Sequence, residues 1–80
     1  MLIQVLGPGC AKCSQLAVNA EIAAKESGVD YVLEKVMDMV KIISFDVLTT
    51  PALVVDGKVL SSGKLLTAQE IKTMILEAKQ

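Results

Sequence analysis

The sequence contains no histidine, no arginine and no tryptophan, and each absence closes off some chemistry. Without histidine there is no Ser/His or Cys/His catalytic pair and no zinc shell that includes imidazole. Any chemistry must therefore use cysteine, lysine, carboxylates or the backbone. The eight basic residues are all lysine, set against nine acids for a net charge of −1. They are spread evenly along the chain with no basic cluster, which argues against nucleic acid as a partner. Tyr31 and Phe45 are the only aromatic residues, too few for a platform that stacks bases or sugars. No apolar run approaches the roughly 20 residues of a membrane span. The opening MLIQVLG has neither a charged leader nor a signal-peptide cleavage pattern, so a soluble, cytoplasmic protein with no membrane partner is expected.

What the sequence does have is apolar content, 52% of 80 residues. That suffices for one small domain, residues 1–80, built as a sheet covered by helices without a disulfide framework. Leu2 to Leu6 is a nearly continuous apolar run ended by Gly7-Pro8-Gly9, which reads as a buried strand and a turn. From Ala11 the period becomes helical, with Cys13, Leu16, Ala17, Ala20 and Ala24 on one stripe and Gly28 as the stop. Tyr31 to Val36 reads as a second strand. Residues 37–45, MDMVKIISF, fit either a helix or a strand, and Asp38 as an N-cap favours a short helix, with Met37, Val40 and Ile43 or Met39, Ile42 and Ile43 facing inward. Asp46 stands where that helix would end. Asp tolerates a left-handed stop, a plainer reading than a general acid, since no paired acid is near.

Asp56-Gly57 suits a type I′ turn between Ala52–Val55 and Lys58–Leu60. Thr67 with Glu70 forms a capping box, and Leu66 with Ile71 a hydrophobic staple, ahead of a last helix packing through Ile71, Met74, Ile75 and Ala78. The order is βαβαββα. A helical crossover makes the first strand pair parallel and the tight turn makes the last pair antiparallel, so the fold class is α/β with a mixed, four-stranded sheet flanked by helices.

Both cysteines lie in GPGCAKC, residues 7–13. As a metal site the pair supplies only two thiolates, so a soft metal or zinc would need carboxylates or a second copy of the chain to complete its shell. As a staple it closes so short a loop that it removes only about 2 kcal/mol of unfolded-state entropy. Burial as a small apolar residue accounts for Cys13, on the inner stripe of the helix, but not for Cys10. A redox role accounts for both. A thiol at a helix start sits near unpaired N–H groups and the positive end of the dipole, which favour the thiolate. Cys10 is so placed as nucleophile, and Cys13, one helical turn on, is in reach to resolve a mixed disulfide. A C-x-x-C beside a βαβ pattern is a thioredoxin-like signature.

Together with Thr50-Pro51 ahead of a hairpin strand, these residues resemble the thioredoxin superfamily. GPGCAKC with TTPALVVDGKVLSSGK is similar, more narrowly, to the small archaeal and bacterial thioredoxin-like redox-active disulfide proteins, and the likeness spans the whole chain. It implies a minimal thioredoxin fold and a thiol-disulfide oxidoreductase cycling between the Cys10/Cys13 dithiol and disulfide with no further cofactor. Its implied partners are disulfide-containing proteins and a flavin-dependent disulfide reductase as electron donor, with the chain acting as a monomer. The resemblance also implies that Pro51 is cis and packs on the disulfide, whereas the residues alone suggest an ordinary trans proline opening a strand. Thr50 would offer backbone groups to an extended partner strand, with Pro8, Val47 and Leu48 as an apolar rim.

Some positions depart from the family pattern. Gly9 stands where thioredoxins commonly carry Trp, and Ala11-Lys12 where they carry Gly-Pro. The buried acid of their first strand falls at Gln4, which cannot take up a proton and can only hydrogen-bond. Lys12 is either a solvated helix lysine or a cation that stabilises the Cys10 thiolate. A glutaredoxin-like, glutathione-dependent reductase is the lesser reading. Its ligand's two carboxylates usually meet arginine, for which Lys12, Lys64 and Thr67 are the substitutes available here.

Overall fold

The apolar run at the N-terminus and the four residues after Pro51 supply the two central strands of the sheet. In the computed structural model, which describes residues 1–9 and 11–79, the elements are β1 (Leu2–Leu6), α1 (Ala11–Ser27), β2 (Val32–Val36), α2 (Met39–Ser44), β3 (Ala52–Val55), β4 (Lys58–Ser62) and α3 (Ala68–Lys79). The sheet order is β2-β1-β3-β4, with β1 parallel to β2 and antiparallel to β3, and β3 antiparallel to β4. This is the mixed, four-stranded α/β arrangement expected from the βαβαββα order. No described helix is long and apolar enough to cross a membrane.

Strand side chains alternate between faces, so each central strand feeds two cores. Ile3, Val5, Leu53 and Val55 pack against α1 and α3 through Leu16, Ala17, Ala20, Ala23, Ala24, Ile71 and Ile75. The alanines along the inner stripe of α1 keep that helix close to the sheet. Leu6, Val36, Ala52 and Val54 face the other way and pack with Ile42 and Val47. All four residues of β3 are buried, as a strand covered on both faces requires.

Caps and turns explain where the elements stop. Gly28 ends α1 with its N–H on the Lys25 carbonyl, 3.2 Å away. The carboxylate of Asp38 accepts from Val40 N at 2.9 Å, as an N-cap of α2 should. Asp46 follows α2 at φ 60, the left-handed stop, and Asp56 and Gly57 both have positive φ (49 and 83) in the hairpin turn. Glu70 N donates to Thr67 Oγ1, and Glu70 Oε1 accepts from Thr67 N, each at 3.1 Å, closing the capping box of α3. Leu66 and Ile71 both enter the α1/α3 core. In β4 one extra residue, Leu60, falls between Val59, opposite Val54, and Ser61, opposite Leu53. That insertion is a bulge in the edge strand.

Four expectations need correction. The second strand begins at Val32 rather than Tyr31, whose ring packs on the α1/α3 core instead. In α2 only Ile42 is buried; Met39, Val40 and Ile43 are exposed, because six residues are less than two turns and present one position to the sheet. Val47 is likewise buried, packing with Ile42 and Phe45, and so forms no part of an apolar rim. Ala78 is exposed near the end of α3, beyond the last turn that meets the core.

Candidate active site

The topology gathers four loops at one end of the sheet. Because β1 and β2 are parallel and β3 antiparallel, the segments after β1, after β2 and before β3 lie together, and the segment after β4 joins them. These segments contain Gly7–Gly9, Met37–Asp38, Thr49–Pro51 and Gly63, and the first of them leads through Cys10 into α1.

Cys13 lies in the first turn of α1 and is buried. It is held against β1's extension: a Cβ added to Gly7 would overlap the Cys13 Sγ and lie 3.1 Å from the Cys13 Cβ. The same position is 3.8 Å from Thr50 Cβ. Gly7 is thus the meeting point of the cysteine helix and the Thr50 loop, and its N–H is fixed to the Val36 carbonyl at 2.9 Å. Cys10 lies outside the described residues; in the chain it directly precedes Ala11, the first residue of α1.

The Thr50–Pro51 peptide is cis, and Pro51 is buried. Its carbonyl accepts from Gly63 N at 2.9 Å, so the loop after β4 supports the loop before β3. Gly63 has φ +74, and a Cβ there would stand 2.6 Å from Thr49 Oγ1. Around this floor the surface is apolar. Pro8 is exposed, Leu48 is 98% exposed, and Met37, itself 57% exposed, puts its Sδ 3.6 Å from where a Cβ of Gly9 would be.

Comparison with known proteins places this geometry. The family model described as "Thioredoxin domain" matches residues 1–76. A thioredoxin of Methanothermobacter thermautotrophicus is 39% identical over 75 residues, covering 94% of this chain and 97% of that protein. A thioredoxin of Methanocaldococcus jannaschii is 35% identical over 72 residues, covering 90% of this chain and 83% of that protein. The chain belongs to the thioredoxin superfamily.

For a thioredoxin-superfamily chain, the surroundings of Gln4 and Lys12 are informative. Gln4 lies on the sheet face shared by Leu6 and Val36, opposite the face that Ile3 and Val5 present to α1. Its Nε2 donates to Glu34 Oε1 at 2.9 Å, across the register pair that joins β1 to β2. The carboxamide is therefore engaged with a neighbouring strand's carboxylate. Lys12 is exposed at the second position of α1. Among the described residues no three His, Cys, Asp or Glu side chains gather as a metal site would require.

Three positions in this thioredoxin-like site carry no signal of their own in the sequence: Gly7, Thr49 and Met37. Gly7 reads as part of a turn, and only its contact with Cys13 shows that its missing side chain shapes the site. The signal that was available is its place, a glycine between the last strand residue and the cysteine motif. Family membership supports a thioredoxin-like redox function.

Proposed function

We propose that residues 1–80 act as one thioredoxin-like domain, a cytoplasmic thiol-disulfide oxidoreductase that reduces disulfides in partner proteins through Cys10 and Cys13. The observation that carries this reading is the burial of Cys13 against Gly7, the point where the Thr50 loop also approaches, on the helix that begins directly after Cys10. A buried thiol in that place suits a resolving role, since it is shielded from outside disulfides yet lies one helical turn from the nucleophile's position.

In this scheme the Cys10 thiolate attacks a partner disulfide, displacing one partner sulfur as thiolate and forming a mixed disulfide. Cys13 then attacks the Cys10 sulfur, forming the intramolecular disulfide and releasing the second partner thiolate. A flavin-dependent disulfide reductase returns two electrons to the pair, so no bound cofactor is required. Thr50 supplies backbone groups to an extended partner segment at the start of β3, and Pro8 and Leu48 form an apolar rim for it. Lys12 contributes positive charge in the first turn of α1, whereas Gln4, on the opposite face of the sheet and bonded to Glu34, supports the site only through the β1–β2 pairing.

Reduction of insulin disulfides with dithiothreitol as the donor tests the reading. The wild-type chain is expected to turn over, Cys10→Ser to lose turnover, and Cys13→Ser to stall as a mixed disulfide. Full activity in Cys10→Ser would sink the proposal, as would stoichiometric metal in anaerobically purified protein.

A further inference from the structure

Gly7 is buried and its backbone is fixed on one side by the hydrogen bond to Val36 and on the other by the fully buried Leu6 that precedes it. The start of α1 is fixed independently, because Leu16, Ala17 and Ala20 pack on Ile3 and Val5. The space between these two rigid elements at Gly7 is occupied by the sulfur of Cys13, which a single added carbon would overlap. Neither element can retreat without disturbing a close-packed core. A helical cysteine has two accessible χ1 wells, since the third drives the side chain into the preceding turn. The sulfur lies where a side chain at position 7 would stand, so such a side chain forbids the conformation seen here.

We propose that Gly7 is a positioning residue for the resolving step: its missing side chain leaves the space that the Cys13 sulfur, the attacking atom, occupies, and a side chain there displaces it. The inference rests on the thiol-disulfide reading above and deepens it. In the step concerned, the Cys13 thiolate attacks the Cys10 sulfur of the mixed disulfide. The Cys10–Cys13 bond forms, the bond from Cys10 to the partner sulfur breaks, and the partner leaves as a thiolate that takes up a proton from water. Over the first attack and this step together, the cysteine pair is oxidised by two electrons and the partner disulfide is reduced by the same two. Displacing the attacking Cys13 sulfur slows this step, since its rate depends on how the sulfur is positioned, while leaving the first attack to Cys10.

The experiment uses oxidised glutathione as probe. The fully reduced chain is mixed with it, quenched in acid at intervals, and the glutathione adduct and the intramolecular disulfide are followed by intact mass. In wild type the adduct is short-lived. In Gly7→Ala the ratio of the resolution rate to the attack rate is expected to fall at least tenfold, with the adduct accumulating. Urea unfolding of Gly7→Ala, Cys13→Ala and the double variant supplies a readout that holds even if Gly7→Ala folds poorly. Alanine at position 7 should destabilise the chain that carries Cys13 and cost clearly less in the Cys13→Ala background, where the sulfur is gone and only the 3.1 Å contact with Cβ remains. Resolution in Gly7→Ala at the wild-type ratio, or an equal cost in both backgrounds, overturns the role of Gly7 and leaves the redox reading intact. A wild-type chain that never resolves its adduct overturns the redox reading and this proposal with it.

Discussion

Replacing Gly63 tests whether the floor of the site is built as described. Two separate costs meet there. The backbone sits at φ +74, where a residue with a Cβ loses about 1–2 kcal/mol, and less for asparagine. The added Cβ would also stand 2.6 Å from Thr49 Oγ1 and 3.1 Å from Thr49 Cβ. Thr49 is exposed and can shift, so this overlap costs at the lower end of overpacking, about 1–2 kcal/mol. Gly63→Ala should therefore lose about 2–4 kcal/mol, a large part of the stability expected for a chain of this size. On the usual scaling Tm falls by roughly 10–30 °C.

Two further variants separate the costs. Gly63→Asn keeps the overlap but eases the dihedral, and should lose about 0.5–1 kcal/mol less than alanine. Thr49→Ala in the Gly63→Ala background removes Oγ1 and leaves the 3.1 Å contact with Cβ, recovering about 1 kcal/mol. Urea unfolding followed by circular dichroism, with the m-value unchanged, gives each difference. If Gly63→Ala lies within about 0.5 kcal/mol of wild type, or costs the same with and without Thr49 Oγ1, the described support of the Thr49–Pro51 loop is wrong.

Leu48, 98% exposed two residues before Thr50, is expected to serve partner docking rather than the fold. Leu48→Asp should change stability by less than about 0.5 kcal/mol, yet raise KM for a protein disulfide about tenfold, with turnover of oxidised glutathione unchanged; an unaltered KM for the protein removes Leu48 from the docking surface. Asp56 holds the hairpin turn at φ 49 and accepts from Leu2 N at 2.8 Å, so Asp56→Ala should cost about 1–3 kcal/mol in urea unfolding, and Asp56→Gly, which restores the dihedral, clearly less. Equal losses in the two variants would show that the dihedral carries no strain.

The parts of the fold that were legible in the sequence are those whose signals are local. The Asp56-Gly57 turn, the Thr67/Glu70 box and the alanine stripe of α1 each act within a few residues of themselves, and each forms as the pattern indicates. The less legible parts depend on distant neighbours. In α2 three apolar residues, Met39, Val40 and Ile43, remain exposed, because nothing local says how little of so short a helix can touch the sheet. Val47 and Leu48 are adjacent apolar residues in an irregular segment, where no period separates inside from outside; tertiary packing buries the first and exposes the second. Gly7 and Thr50 are 43 residues apart in the sequence, and their approach to each other follows only once β1 and β3 are paired.

That pairing also separates stability from chemistry along the length of the sheet. The loops after β1, β2 and β4 and before β3 share one end, while the Asp56-Gly57 turn and the Asp30 carbonyl that accepts from the N-terminal amine lie at the other. Both ends load the same two central strands, so damage at either lowers global stability. Only at the first end do the displaced atoms touch Cys13, Thr50 or Pro51. Asp56→Ala and Gly63→Ala can therefore be compared at matched fractions folded, and the Gly63 variant alone should turn over a disulfide more slowly per folded molecule. Equal specific activities would mean that the Thr49–Pro51 loop keeps its place without the support of Gly63, and that the close packing around Gly7 by itself holds the site.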